Sequence, residues 1–226
     1  MIYREIEKIH GWLTKNEALF LYNSAKQIKK ENAIVEIGSW KGRSTICLGK
    51  GSSDGNGVKI YAIDPHTGCP ELWKKYGRVN TFREFQQNIS KACIADYIEI
   101  IKDTSQNAAK KITKPVEFIF IDGDHSYHST NLDFKLWFPK VKNGGILAFH
   151  DSWHFIGPKL VTAINLLFSS KIRNPKMVDS ITYFQKVQKN SFFERIKNIL
   201  FLLFRTFIGI KGWLRVRRSE SLHQQK

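Results

Sequence analysis

Side chains that can bind a metal or transfer a proton follow short apolar runs of this 226-residue sequence. Asp122 and His125 come directly after one run, and His150 and Asp151 follow the next. Two carboxylates and one imidazole can together hold a divalent cation, so we predict a site for Mg²⁺ or Mn²⁺ at Asp122, His150 and Asp151. We predict that His125, close to Asp122 in sequence, is the catalytic base. The alternative for His125 is a loop residue that faces solvent.

A glycine-containing turn follows an earlier apolar run, in the sequence Val35-Glu36-Ile37-Gly38-Ser39-Trp40-Lys41-Gly42. Glycine has no side chain to keep a ligand away from the backbone, and the amides at the start of a helix point towards that ligand. A dinucleotide fingerprint needs three glycines, but Gly38 and Gly42 are four residues apart with no third between them. The turn therefore favours a nucleotide-like cofactor without a pyrophosphate. An ordinary strand-to-helix turn is the alternative.

A second carboxylate belongs to the same prediction. The apolar run from Val58 to Ile63 ends in Asp64. A carboxylate in this position after the glycine turn can accept hydrogen bonds from ribose hydroxyls. Asp64 could instead cap the turn that Pro65 begins, but its offset from the glycine turn favours ribose binding.

The order of elements predicts an α/β fold, in which a doubly wound, mostly parallel, Rossmann-like sheet has seven strands and one antiparallel strand near its end. Strands are expected near residues 35–37, 58–63, 97–101, 116–121 and 146–149, with two more between 177 and 187. Helices are expected over 1–31 in two pieces, 82–92, 104–112, 129–139 and 159–169, and the spacing of Thr14 and Glu17 predicts a capping box. Residues 65–81 are expected to form a loop that covers the substrate. The predicted domain spans residues 1–188, with 1–31 as a helical cover and 189–226 as a tail.

The segment from Phe120 to Tyr127, with Asp133, Trp137, Gly144-Gly145 and His150-Asp151, forms a longer joint pattern. It resembles class I S-adenosylmethionine-dependent methyltransferases. The pattern is most similar to a bacterial subgroup that contains macrocin O-methyltransferase and the cephalosporin-hydroxylase-like proteins, and more distantly to catechol and caffeoyl-CoA O-methyltransferases. The resemblance covers roughly residues 12 to 187.

This resemblance implies an O-methyltransferase that uses S-adenosylmethionine, is assisted by a divalent metal, and acts on a sugar or other small-molecule hydroxyl in glycan or natural-product biosynthesis. The implied cofactor-binding residues are Glu36, Gly38, Ser39, Gly42, Asp64, Asp103, Thr104, Ser105 and Asp122, and we add Trp40 as an aromatic residue that can line the pocket. Asp122 and Asp151 match metal-binding positions of the relatives. His150 departs from them, because an acidic residue is common there.

The C-terminal segment predicts a basic amphipathic helix. Apolar residues recur at helical spacing from Phe192 to Phe207, and residues 191–226 hold eight Lys or Arg but only two Glu. Such a helix can lie on an anionic membrane surface. The alternatives are a helix that forms a homo-oligomer and one that packs on the domain.

Composition leaves other functions to be weighed. The net charge of +16 would suit an RNA methyltransferase, but no base-methylation motif follows the fourth strand and no RNA-binding appendage is evident. A non-catalytic cofactor-binding scaffold at the membrane is a further alternative. An NAD-dependent oxidoreductase is disfavoured, because this sequence lacks the third glycine of the dinucleotide fingerprint. An iron oxygenase is conceivable from two histidines and a carboxylate.

Three scattered cysteines and the lack of an apolar run of about 18 residues lead us to expect a cytoplasmic protein that is peripheral on the inner membrane face. The expected acceptor is a small molecule, glycan or glycolipid.

Overall fold

Seven strands form one twisted sheet in the computed structural model, which describes residues 2–206. The strands are β1 (Ala33–Ile37), β2 (Ile60–Ile63), β3 (Ile98–Ile101), β4 (Val116–Ile121), β5 (Val141–Phe149), β6 (Ile172–Val178) and β7 (Ile181–Lys186). Their order is β3-β2-β1-β4-β5-β7-β6, and the first five are parallel. Strand β7 runs antiparallel to both β5 and β6. The predicted fold class is confirmed, including the antiparallel strand near the end.

Helices cover both faces of this sheet. They are α1 (Tyr3–Ile6), α2 (Lys15–Lys26), α3 (Arg43–Ser53), α4 (Pro70–Tyr76), α5 (Phe82–Lys91), α6 (Ser105–Lys111), α7 (Tyr127–Trp137), α8 (Ile156–Phe168) and α9 over residues 192–206. One core cluster joins the sheet to α1, α2, α3 and α5, and a second joins its other face to α6, α7, α8 and α9. Buried apolar residues dominate β1 and β4, as expected for central parallel strands covered on both faces.

Several predicted elements differ from the structure. Strand β6 begins at Ile172, before the predicted limit of 177, and helix α8 begins at Ile156 rather than at 159. Strand β5 begins at Val141, so Gly144 and Gly145 lie within it, where its pairing with β4 shifts register. The expected covering loop contains helix α4, which starts with Pro70 at its first position. Helix α7 begins two residues early because the Ser126 hydroxyl accepts a hydrogen bond from the Ser129 amide and caps the helix.

The N-terminal cover follows its sequence signals. Thr14 and Glu17 form the predicted capping box at the start of α2, with a Glu17 N to Thr14 Oγ1 distance of 3.2 Å and a Thr14 N to Glu17 Oε2 distance of 2.9 Å. Helix α2 packs on α3 and on the sheet through Ala18, Leu21 and Ala25. Between residues 2 and 206, no helix has the length and apolar character needed to cross a bilayer.

Candidate functional site

A cavity of about 880 Å³ opens at the carboxyl ends of the parallel strands. This edge is where ligands bind in open α/β sheets. Ten of the predicted site residues line it: Gly38, Ser39, Trp40, Asp64, Thr104, Ser105, Asp122, His125, His150 and Asp151. Residues from the five loops that follow β1 to β5, and from the segment before α2, therefore meet in one space large enough for a cofactor and a small acceptor.

Gly38 sets the shape of the cavity floor. It has a φ of +88°, and a Cβ atom at this position would lie 2.1 Å from the Asp122 carbonyl oxygen. The Gly38 amide also donates to the Ile63 carbonyl at 2.9 Å. Because β1 and β4 approach so closely at their ends, only glycine lets the turn and Asp122 share this space.

Asp64 holds the backbone of two loops. Its Oδ2 accepts a hydrogen bond from the Trp40 amide at 2.7 Å, and its Oδ1 accepts one from the His66 amide at 2.6 Å. Both donor residues have positive φ, at 47° and 60°, so the carboxylate stabilises an uncommon backbone conformation. Each carboxylate oxygen has a second lone pair, which leaves Asp64 able to accept further hydrogen bonds from a ligand in the cavity.

Three residues predicted to contact a cofactor do not line the cavity. The fully buried carboxylate of Glu36 accepts a hydrogen bond from the Thr45 hydroxyl at 2.5 Å, and burial raises its pKa to about 7. Gly42 has a φ of +90° and faces Phe85 at the start of α3. Asp103 instead bonds to the Thr104 amide at 2.7 Å and to its neighbours on α6. Each of these three residues therefore contacts a neighbouring loop or helix and not the cavity.

A cluster of three side chains lines the cavity beyond the ends of β4 and β5. His125 Nε2 is 3.7 Å from Asp122 Oδ1 and 3.7 Å from Asp151 Oδ2. Its ring stacks on Phe155 with centroids 4.1 Å apart, which fixes the imidazole between the two carboxylates. One ligand atom from each of Asp122, His125 and Asp151 lies within 4.8 Å of the others, a spacing that could hold a metal ion.

His150 occupies a different position from the one predicted. Its Nδ1 is 3.0 Å from Asp122 Oδ1 and 3.4 Å from Asp151 Oδ2, while its Nε2 faces Glu17 Oε2 at 3.5 Å. Burial alone would lower the pKa of His150, but these carboxylates raise it well above its usual value. Both ring nitrogens of His150 are thus turned towards carboxylates. The side chains whose ligand atoms lie close enough to share a metal ion are Asp122, His125 and Asp151, whereas the predicted set had His150 in place of His125.

Asp122 is stabilised as a carboxylate by these histidines. Burial would raise its pKa, but the charge of His150 and hydrogen bonds from His125 and His150 hold the pKa below its usual range. A negative charge therefore remains at the centre of the site.

Glu17 is the residue that sequence reasoning missed. Its Oε1 accepts hydrogen bonds from the Ser180 amide at 2.9 Å and the Ser180 hydroxyl at 2.6 Å, and its Oε2 faces His150. The capping box predicted its role in α2, but nothing local indicates contact with residues more than a hundred positions away. One buried carboxylate thus joins α2, the β6–β7 turn and the end of β5.

We expect Glu17→Gln to make stability less dependent on acid pH. Burial raises the pKa of Glu17, but His150, Ser180 and Thr14 together lower it from 4.5 to about 2. Its contribution is therefore present above pH 4.5 and lost as the pH falls towards 2. The variant should lose about 3 kcal/mol of unfolding free energy at neutral pH, because it leaves His150 buried with one carboxylate fewer.

Urea unfolding at a series of pH values measures this effect. The difference in unfolding free energy between wild type and Glu17→Gln should become smaller as the pH falls from 4.5 towards 2. Glu99→Gln, on an exposed position of β3, should leave the dependence of unfolding free energy on pH unchanged. A difference in unfolding free energy that stays constant with pH would contradict a charged pair of Glu17 and His150.

Aromatic rings gather at the mouth of the cavity. His10 contacts Trp12, Trp40 and Tyr76 with centroid distances of 5.1, 6.4 and 6.0 Å, and Trp12 lies 6.1 Å from Trp40. Trp12 and Trp40 line the cavity, and half of the Trp12 surface is exposed. This aromatic mouth was not predicted, because His10 and Trp12 lie in the N-terminal cover, far in sequence from the glycine turn.

Comparison with known proteins adds to this geometry. Residues 35–152 match the model of a family described as a methyltransferase domain. Two relatives are uncharacterized proteins, one of Sinorhizobium fredii that is 25% identical over 124 residues and one of Acanthamoeba polyphaga mimivirus that is 29% identical over 150 residues. The alignments cover 53% and 64% of this chain but 13% and 63% of those relatives, so the chain spans less than two thirds of either.

Solved structures share the fold at low sequence identity. An O-methyltransferase from Bacillus cereus in complex with SAH has a TM-score of 0.61 at 15% identity, covering 82% of this chain and 90% of its own. The O-methyltransferase NovP has a TM-score of 0.63 at 14% identity, covering 76% and 80%. The O-methyltransferase TomG from Streptomyces achromogenes in complex with SAM has a TM-score of 0.58 at 13% identity, covering 82% and 86%. These similarities establish the common architecture.

Proposed function

Because the chain belongs to the methyltransferase-domain family, we propose that it is an S-adenosylmethionine-dependent O-methyltransferase acting on a sugar or another small-molecule hydroxyl in glycan or natural-product biosynthesis. The observation that carries this proposal is the shared cavity, which is lined both by the glycine turn and Asp64 and by the cluster of Asp122, His125 and Asp151. A cofactor at the first group and a hydroxyl at the second would be neighbours. The solved neighbours with bound SAM and SAH support the choice of cofactor.

The chain's own residues fit such a cofactor. Gly38 leaves the backbone open, Asp64 has lone pairs for ribose hydroxyls, and Thr104 and Ser105 line the cavity at the start of α6. Bound S-adenosylmethionine supplies a methyl group on a sulfonium. In the proposed reaction the acceptor oxygen gains that methyl group and loses its proton, which leaves S-adenosylhomocysteine, a methyl ether and H⁺.

We propose that Asp122, His125 and Asp151 hold Mg²⁺ or Mn²⁺ and the acceptor hydroxyl. Two carboxylates and one imidazole fit a divalent cation, and their ligand atoms are already close together. A bound cation lowers the pKa of a coordinated hydroxyl and fixes its oxygen for in-line attack. Neighbouring hydroxyls, as in a sugar diol, would suit this site because both can face the cluster.

The aromatic mouth supports a sugar acceptor. Trp12 and Trp40 present ring faces and edges where a pyranose could stack its C–H groups, and Lys74 and Lys75 line the same opening. An acceptor with anionic groups, such as a nucleotide sugar, would gain from those lysines.

A second assignment uses the cluster without a metal. His125 lies the same distance from both carboxylates, so it could accept the hydroxyl proton while Asp122 and Asp151 stabilise the imidazolium. Methyl transfer that survives chelation by EDTA would select this assignment, and transfer restored by Mg²⁺ or Mn²⁺ would select the metal.

We expect Asp64→Ala to weaken the binding of S-adenosylhomocysteine at least about tenfold, because the variant removes a ribose acceptor and releases the Trp40 and His66 amides. Calorimetry with the full chain, with and without Mg²⁺ or Mn²⁺, measures this. Asp96→Ala, an exposed acid away from the cavity, is the control. A folded wild type that binds neither S-adenosylmethionine nor S-adenosylhomocysteine would overturn the proposed function.

A further inference from the structure

Helix α9 is attached to the domain mainly by polar side chains. The buried Arg205 guanidinium donates to Thr162 Oγ1 at 2.7 Å and to the Lys159 carbonyl at 3.0 Å. Asn198, also fully buried, donates to the Ile172 carbonyl at 2.9 Å. Among its apolar residues, Leu202 joins the core and Phe201 packs against it. These contacts fix which face of α9 points outward.

The outward face of α9 is the more apolar one. It carries Phe192, Phe193, Ile196, Ile199, Leu200, Leu203 and Phe204, all exposed. At about 100° per residue, these positions span an arc of about 140°. Phe193 is 72% exposed and Leu203 is 63% exposed. A surface helix of a globular protein normally has the opposite arrangement, with its apolar stripe towards the core.

Helix α8 presents a similar stripe on the same side of the molecule. Its exposed apolar residues are Ile156, Leu160, Ile164, Leu167 and Phe168, the last of them 75% exposed. Buried residues of α8 and α9 belong to the same core cluster, so both helices lie on one face of the sheet. Their outward faces therefore point away from the sheet in a common direction. We call these twelve side chains the α8–α9 surface.

Positive charges flank the α8–α9 surface. Arg195 and Lys197 lie on opposite edges of the apolar arc of α9, and Lys159 is exposed on α8. The one acidic side chain of the two helices, Glu194, faces Arg173 of β6 at 3.4 Å and so is turned towards the sheet. The predicted basic residues Lys211, Arg215, Arg217 and Arg218, with Trp213 among them, lie outside the described residues and follow α9 directly in sequence.

We propose that the α8–α9 surface binds an anionic lipid bilayer, with α9 lying in the plane of the interface. An apolar arc with cations on both edges matches lipid chains below and anionic headgroups around it. The occupant is a bilayer rather than a second copy of the chain, because two such surfaces would bring like charges together around their rims. This proposal is independent of the proposed chemistry.

Vesicle sedimentation with the full chain tests the proposal. Vesicles of mixed phosphatidylglycerol and phosphatidylcholine should bind the protein, and pure phosphatidylcholine vesicles should bind it at least about tenfold less. The double variant Leu200→Gln/Leu203→Gln keeps the charge and should weaken binding at least about tenfold, because it removes two exposed leucines from the arc. Leu19→Gln, at an exposed leucine on the opposite face of the sheet, is the matched control.

Each result decides the proposal. Selective binding to anionic vesicles that Leu200→Gln/Leu203→Gln weakens and Leu19→Gln does not supports it. Failure to bind, equal binding to both vesicle types, or a concentration-dependent dimer that the double variant dissociates would overturn it. S-adenosylhomocysteine binding, measured on the same samples, separates failure of this proposal from failure of the proposed function.

Discussion

Asp151→Ala should reduce methyl transfer about a hundredfold or more while changing the affinity for S-adenosylhomocysteine less than about twofold. The proposed role of Asp151 is to hold a metal ion and the acceptor hydroxyl with Asp122 and His125, which line the same cavity as Asp64. Losing one of two carboxylates should abolish the site's preference for a divalent cation. Mn²⁺ binding followed by electron paramagnetic resonance should therefore disappear with the activity.

Backbone strain needs its own control, because Asp151 has a φ of +51° that alanine tolerates poorly. Asn174→Ala places alanine at a φ of +50° on an exposed position of β6, outside the cavity. Methyl transfer can be assayed with a panel of nucleotide sugars and catechols. If Asp151→Ala lost cofactor affinity together with activity, Asp151 would belong to the cofactor half of the cavity and the proposed division would be wrong.

Gly38→Ala should abolish detectable cofactor binding and lower the unfolding free energy by about 3 kcal/mol or more. Its Cβ would lie 2.1 Å from the Asp122 carbonyl oxygen and 3.0 Å from the Gly123 amide nitrogen, both of which are backbone atoms. This steric clash can be relieved only if the ends of β1 and β4 move apart. That movement would displace the glycine turn and Asp122 together, and with them both halves of the cavity.

Gly144→Ala distinguishes this clash from the cost of a positive φ. Gly144 has a φ of +86°, close to the +88° of Gly38, but the nearest atom to its added Cβ is 3.9 Å away. We expect that variant to lose about 1 kcal/mol and to retain cofactor binding. Chemical denaturation and calorimetry of both variants give the comparison. Similar losses for both would mean that conformation, rather than the contact with Asp122, makes glycine necessary at position 38.

Periodicity predicted the fold because the strands are nearly continuous apolar runs between helices. Strand β4 begins and ends where its apolar run does, and Asp64 follows β2 into the cavity as its position in sequence indicated. Local sequence signals, such as glycines, predicted the ends of helices and strands less accurately. Gly144 and Gly145 suggested a turn before β5, whereas β5 continues through them as an irregular segment between two pairings with β4, Val141 with Val116 and Ile146 with Phe118.

Residues that line the cavity were predictable where their position after a parallel strand alone places them at this edge of the sheet. The choice between His125 and His150 was not, because both follow parallel strands and both lie near Asp122. It depends on Glu17, whose contact with His150 is created by the packing of α2 against the sheet. Likewise, helical spacing predicted the amphipathic character of α9, but Arg205 and Asn198 determine which face points outward.

Glu17 and Ser180 both lie outside the segment 35–152 that matches the family, yet they hold the ring of His150 inside it. Residues outside the shared segment therefore complete the surroundings of His150 in this chain. A fragment trimmed to those limits would keep Gly38, Asp64 and Asp122 but would leave His150 with an open side where Glu17 stood. Variation at positions 17 and 180, neither of which lines the cavity, would thus change the charge around His150 at the end of β5 without altering a residue that lines the cavity.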